Sequence, residues 1–288
     1  MRYLITGASG MLGRDLQAVL SGREVTALPR AELDVTDRDA VRDAVSGHDI
    51  VFNASAYTKV DDAESHEDAA YAVNALGTEN LAVAARAAGA KLVTISTDYV
   101  FKGDASAPYA EDAARDPLNA YGRTKAAGEE LAISAHPEGT YIVRTAWLYG
   151  EHGPNFAKTM LRLAATHDTV TVVDDQRGQP TWTADLAEQL LRLADSNAAS
   201  GVYHGTASGE TTWFGFAREV FERAGLDPAR VQPTTSAEFV RPAARPAYSV
   251  LGHEAWRAAG LPMMRDWREA LAEAFDRKAF DDNPAGDR

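Results

Sequence analysis

The chain has 288 residues, 45% hydrophobic and 25% charged, enough for one large α/β domain or a nucleotide-binding domain with a smaller lobe, and too apolar for wholesale disorder. Cysteine is absent, which excludes disulfides, thiolate metal sites and a cysteine nucleophile. No apolar run approaches the roughly 20 residues that cross a bilayer, and a net charge of −13 argues against nucleic acid or an anionic membrane as partner.

Read in chain order, the opening MRYLITGASG runs straight into a strand at 2–6 and a glycine turn at 7–10, a start that predicts no signal peptide and a cytoplasmic protein. A helix follows from Met11 to about Leu20, then a strand at Glu24–Leu28, a helix at Asp37–Val45 and a strand at Asp49–Phe52. An Ala-rich stretch, Glu67–Ala88, reads as one long helix stopped by Gly89; Lys91–Ile95 is a strand, Leu118–Ala135 a helix and Tyr141–Arg144 a strand. This alternation predicts the α/β class, with a doubly wound parallel sheet and right-handed crossovers stacking helices on both faces. After residue 150 the rhythm loosens. Asn155–Ala165, Ala184–Asp195 and Thr212–Ala224 read as helices, Val170–Val173 and Val202–His204 as strands, and Pro228–Pro246 as loop. The expected organisation is a nucleotide-binding domain over 1–150, mainly a substrate-binding lobe over 151–280, free to exchange elements with the first, and a frayed tail at 281–288.

Gly7, Gly10 and Gly13 lie between the first strand and the first helix. In that context Gly7 permits the tight turn, Gly10 lets a pyrophosphate approach the backbone, and Gly13 lets helix pack on strand, with the pyrophosphate resting on free N–H groups at the helix start. The turn therefore predicts a Rossmann-type dinucleotide site. The second strand ends Leu28-Pro29-Arg30 without the acid that would hold an adenosine ribose 2′-hydroxyl. Arg30, with Arg14, can instead clasp a 2′-phosphate. NADPH is the expected cofactor, with NADH left open.

Tyr121 and Lys125 form a Y-x-x-x-K pair on one helical face. Carbonyl reduction needs a proton donor at the carbonyl oxygen, and a neighbouring ammonium is expected to lower the phenol toward the working pH. Ser96 and Thr97 end the strand at Lys91–Ile95, where open α/β sheets place ligands, and a hydroxyl there can donate to a developing oxyanion.

The glycine turn, the hydroxyl and the Tyr/Lys pair in this order resemble the extended short-chain dehydrogenase/reductases. The motifs STDYVF (96–101), PLNAYGRTKAAGE (117–129), RTAWLYG (144–150), DQRGQPT (175–181) and RPAYSVL (245–251) are similar to those of the dTDP-4-dehydrorhamnose reductase family, and the likeness extends to about Phe280. The resemblance implies that Thr97, Tyr121 and Lys125 are catalytic, Tyr121 giving the proton while NAD(P)H gives hydride to C4 of a dTDP-sugar. It also implies cofactor contacts at Gly10, Met11, Leu12, Asp34, Val35, Ala56, Tyr57, Thr58 and Lys125. Sugar contacts would fall at Thr97, Asp98 and Trp147, and nucleotide diphosphate contacts at Asn155 and Arg245, the latter supplying local positive charge on an acidic protein. Some members hold Mg²⁺ through carboxylates, for which Asp15 and Asp185 are the corresponding positions; the histidines show no metal-binding spacing, and solvated carboxylates with no metal are the expectation. Monomer and homodimer both stay open. Three rivals share parts of this pattern: a sugar-nucleotide epimerase or dehydratase, a 4-ketoreductase for another dTDP-deoxysugar, and a non-catalytic subunit like the regulatory subunit of methionine adenosyltransferase. Net consumption of NAD(P)H separates the first and the third from a reductase.

Overall fold

The computed structural model describes residues 1–281; all of the expected tail at 281–288 but its first residue lies outside the described residues. Six strands form one parallel sheet: β1 (Arg2–Thr6), β2 (Glu24–Leu28), β3 (Ile50–Asn53), β4 (Lys91–Thr97), β5 (Thr140–Thr145) and β6 (Gly201–His204), in the order β6-β5-β4-β3-β1-β2. The order reverses at β1, which lies between β2 and β3, and this switch point is where open α/β sheets bind ligands. All of β3 and β5 is buried, as expected for strands covered on both faces.

On one face, Leu12 and Leu16 of α1 (Met11–Val19) and Leu186, Leu190 and Leu193 of a helix at Thr183–Asp195 pack over Tyr3, Ile5 and Phe52. On the other, Leu4, Val51, Leu92 and Ile142 meet Val41 of α2 (Arg38–Val45) and Leu81 of α3 (Gly77–Ala88). The two faces take alternate residues of β1, the period-2 signature of a strand. Helix α4 (Ala120–Ala135), capped by the Asn119 side chain on the Gly122 N–H, lies beside α3. We label the helix at Thr183–Asp195 α5. Because α5 and β6 come from beyond residue 150, the second half of the chain builds part of the sheet domain. The remainder forms a lobe whose core is Tyr149, Trp182, Phe216, Phe221, Trp267 and Leu271. No helix among the described residues is long and apolar enough to cross a membrane.

Two expectations are corrected. The segment at 228–246 is not all loop: Pro228–Arg230 is a 3₁₀ turn and Val231–Thr234 pairs in parallel with Val170–Val173. Proline at 233 is tolerated there because the strand belongs to a two-stranded edge pair. The stretch 67–88 is not one regular α-helix either. A π-helical turn at Ala72–Leu76 separates Glu67–Tyr71 from α3. That turn carries Asn74, whose side chain accepts from the Tyr57 N–H (2.8 Å) and donates to the Thr124 hydroxyl of α4 (3.1 Å), and π turns of this kind recur at functional sites.

Candidate active site

A cleft of about 750 Å³ runs from the glycine turn, past the C-terminal ends of β3 and β4, to the start of the lobe. At its cofactor end Gly7 has φ +68°, and a Cβ there would lie 2.7 Å from the Ala54 backbone; at Gly13 a Cβ would lie 2.4 Å from the Gly7 carbonyl oxygen. Only glycine lets these three backbone stretches meet. Gly10 caps α1 without any side-chain hydrogen bond, so the first N–H groups of the helix keep their donor capacity for an anion. Gly10, Met11, Leu12 and Gly13 line the cleft together with Ala56 and Thr58. These features fit a dinucleotide pyrophosphate. Arg30, Asp34, Val35 and Tyr57 stand outside the cleft lining. Arg30 is exposed. Asp34 accepts from the Thr36 N–H and hydroxyl, which holds its carboxyl below the usual range. Val35 is buried and offers only backbone, its carbonyl already accepting from Asn80.

At the β4 end of the cleft Thr97, Asp98, Tyr121 and Lys125 come together as expected. Thr97 closes β4 and its hydroxyl donates to Asp98 (2.9 Å), while the same hydroxyl interacts with the Tyr121 phenol. Tyr121 and Lys125 share a face of the first turns of α4. Gly122, between them, lies so close that a Cβ would come within 2.2 Å of the Tyr99 carbonyl oxygen, and this pins the helix start to the end of β4. Burial pushes Asp98 up to about 6, opposed by hydrogen bonds from Ser249 and Thr97. Burial, and then the Asp98 charge, push the Tyr121 phenol up, with Thr97 opposing. The expected lowering of Tyr121 by Lys125 is therefore not met: desolvation of the half-buried phenol raises it, and the Lys125 ammonium is turned onto the Ile95 carbonyl (2.6 Å). Lys125 is itself held down to about 8 by burial, with Glu129 opposing. Asp98 Oδ2 and Thr145 Oγ1 are buried without a hydrogen-bond partner among the described residues, and both residues line the cleft. Buried polar atoms of this kind call for a polar ligand.

The lobe side of the cleft is aromatic. Trp147 has φ +48°, a strained value for a bulky residue. Its indole stacks on Trp213, centroids 3.7 Å apart, and lies against Gly178, where a Cβ would meet the ring at 2.6 Å. Trp213 escapes sequence reading because the turn before its helix looks like any helix start; its motif YHGTASGETTW (203–213) was the only signal. Tyr99 packs edge-on to Tyr121 at 5.8 Å and lies under the Arg245 guanidinium. Arg245 is not in the main cleft. It lines an adjoining cavity of about 570 Å³ that shares Tyr99 and Trp213 with it, and it is paired with Asp61 (3.0 Å). Asn155 caps a helix at Phe156–Ala164: it accepts from the Lys158 N–H and donates to the Gly150 carbonyl, so its polar atoms are already committed to the loop. Asp15 and Asp185 do not form a cation site. Both Asp185 oxygens accept from Arg265 at 2.8 Å, and no metal-holding group of three or more His, Asp or Glu occurs among the described residues.

Residues 1–280 match the family described as RmlD substrate binding domain. A dTDP-4-dehydrorhamnose reductase of Streptomyces griseus is 54% identical, over 95% of this chain and 93% of that protein. This chain belongs to the RmlD family of dTDP-4-dehydrorhamnose reductases. A dTDP-4-keto-6-deoxy-D-glucose reductase of Streptomyces niveus is 51% identical, over 95% of this chain and 96% of that protein. Among solved structures, a dTDP-4-dehydrorhamnose reductase of Bacillus anthracis in complex with NADP superimposes with a TM-score of 0.92 at 40% identity, covering 96% of this chain and 99% of that one.

Proposed function

We propose that the chain reduces the C4 ketone of dTDP-4-dehydro-6-deoxy-L-mannose with NADPH, giving dTDP-L-rhamnose. The observation that carries this is the run Tyr121–Thr97–Asp98 along the cleft wall, with Lys125 one turn along, in a cleft continuous with the glycine turn. NADPH supplies the hydride to C4 when bound. Its pyrophosphate would be held by the backbone of Gly10 to Gly13, and Lys125, which lines the same cleft, would bind its ribose.

The residues of the chain supply the proton. A phenol raised by burial stays protonated at neutral pH, the state a reductase needs, so Tyr121 hydrogen-bonds the C4 carbonyl oxygen and gives up its proton as the C–H bond forms. The oxygen thus becomes a hydroxyl and the negative charge passes to Tyr121. Thr97 stabilises that charge once its hydroxyl turns from Asp98 to the phenolate, and the Lys125 ammonium, four residues along the same face, stabilises it by charge. Trp147 and Trp213 give the sugar a flat apolar wall. The adjoining cavity, lined by Arg241, Arg245, Phe156, Met160 and Trp213 among others, suits a nucleotide diphosphate: cations for the phosphates, apolar surface for the base. With its amide committed to a helix cap, Asn155 serves that cavity through its loop.

A second reading, reduction of the C4 ketone of another dTDP-6-deoxysugar, is favoured by the Streptomyces niveus relative, whose identity is within a few per cent of that of the Streptomyces griseus reductase. The chemistry is the same and the hydroxyl pattern of the sugar differs. Steady-state turnover on both ketosugars, compared as kcat/KM, separates the two; a preference of about tenfold or more for the L-mannose-derived ketone supports the first reading.

A further inference from the structure

One buried ion pair in the molecule has no part in the chemistry above. Glu129 lies on α4 one turn beyond Lys125 and two beyond Tyr121, and it is almost wholly enclosed. It accepts from Arg144 twice, Nε at 2.9 Å and Nη2 at 2.7 Å, and from the Ser96 hydroxyl at 2.5 Å. Arg115 reaches it from the surface at 3.4 Å. Arg144 is as enclosed as Glu129 and lies directly across the sheet from Ser96. Enclosing two charges costs desolvation that their attraction scarcely repays, so such a pair is weak evidence of stability for its own sake. Its neighbours suggest another use. Ser96 precedes Thr97, Arg144 precedes the cleft residue Thr145, and Glu129 shares the face of Tyr121 and Lys125. The carboxylate thus ties β4 and α4, which carry the catalytic groups, to β5, which carries the cleft residue Thr145. Glu129 and Lys125 also line one void of only about 10 Å³, so little screens one charge from the other.

We propose that Glu129 is a positioning residue for the reduction: clamped by Ser96 and Arg144, it fixes α4 against β4 and β5 and serves as the counter-charge that keeps Lys125 an ammonium inside the protein. This rests on the reading of Tyr121 and Lys125 as catalytic. The charge on Lys125 is then set by a balance. Burial disfavours the ammonium and Glu129 favours it. Arg144 and Arg115 draw on the same carboxylate from β5 and the loop before α4, with Glu130 beside Arg115 and neutral His204 beside Arg144. Asp98 acts on Tyr121 from the end of β4.

The test is the titration of Lys125 in the full chain, followed by NMR of isotope-labelled lysine side chains and assigned by its loss in Lys125→Met, together with the pH dependence of kcat. Glu129→Gln is expected to lower the Lys125 midpoint, and with it the basic limb of kcat, by about one unit. Relative to the wild-type chain the rate then falls about fivefold near pH 8 and hardly at all near pH 6. Glu129→Asp, which keeps the charge, is expected to hold the midpoint near the wild-type value. A rate lowered by the same factor at every pH, with the midpoint unmoved, would overturn the proposal and leave Glu129 a structural residue. Should Glu129→Gln not fold, Arg115→Gln serves: loss of this partly exposed competitor must raise the midpoint, and an unmoved or lowered midpoint overturns the proposal equally. The NMR titration needs no substrate, so its failure is distinct from a failure of the reductase reading, which shows as no turnover by the wild-type chain.

Discussion

At the residue scale, desolvation is the largest influence on the protonation of Asp98, Tyr121 and Lys125, the groups the proposed reduction uses. Tyr121→Phe removes the proton donor and leaves the cleft intact; kcat is expected to fall at least about 100-fold, while NADPH binding, followed by fluorescence titration, stays within about twofold. Lys125, held down to about 8, carries its charge below that pH and loses it above, so kcat should fall as pH rises through about 8. A pH–rate profile with no basic limb near there would separate Lys125 from the rate. Asp98 makes the opposite kind of prediction, on stability. Its folded value of about 6 lies above the ordinary aspartate value of 3.8. Between these two the unfolded chain loses the proton that the folded chain keeps, so the contribution of Asp98 to stability falls as pH rises through that window. Urea unfolding of wild type and Asp98→Asn at about pH 4 and about pH 6.5 should show the difference shifting in favour of the variant at the higher pH; a difference independent of pH would contradict the raised value.

At the element scale, what brings these groups together is the contact of the start of α4 with the end of β4. Gly122→Ala places a methyl 2.2 Å from the Tyr99 carbonyl oxygen, so α4 must move away from Thr97. The expected cost is about 1–3 kcal/mol in urea unfolding, with kcat falling as well because Tyr121 moves with the helix. Tolerance of alanine in both measurements would mean that the close approach does not position the tyrosine. The same elements show what a sequence can and cannot carry. Strand and helix periods placed β1 to β5, α1 and α4 within a residue or two, because strands and helices alternate with Gly, Pro or polar caps between them. The π turn at Ala72–Leu76 was invisible: alanine suits every helical geometry, and the extra residue exists to bring Asn74 between Tyr57 and Thr124, contacts set by tertiary packing. The short edge strand Val231–Thr234 was hidden by Pro233, which reads as a breaker until its partner at Val170–Val173 is known.

At the scale of the whole molecule, the sheet domain and the lobe share chain: α5 and β6 complete the sheet from beyond residue 150, and the cleft lies where the two parts meet. The cofactor end and the Tyr/Lys pair were legible because backbone geometry demands glycines and helical spacing demands i and i+4. The lobe's share was not. Trp213 and the pairing of Arg245 with Asp61 depend on distant segments meeting, and no local period encodes that. The overall charge of −13 makes local cations matter for both anionic ligands. At the cofactor end, Arg30→Ala should raise the KM for NADPH about tenfold, the worth of one charged hydrogen-bond contact, and leave that for NADH nearly unchanged; equal effects on both would mean that Arg30 does not meet the 2′-phosphate. The most direct test of the function is to mix the purified protein with NADPH and dTDP-4-dehydro-6-deoxy-L-mannose and follow the absorbance of the reduced nicotinamide, with the product identified by mass and NMR. Stoichiometric oxidation of NADPH with dTDP-L-rhamnose formed is the expected result. Binding of NADPH without its oxidation, on a ketosugar verified to be intact, would contradict it.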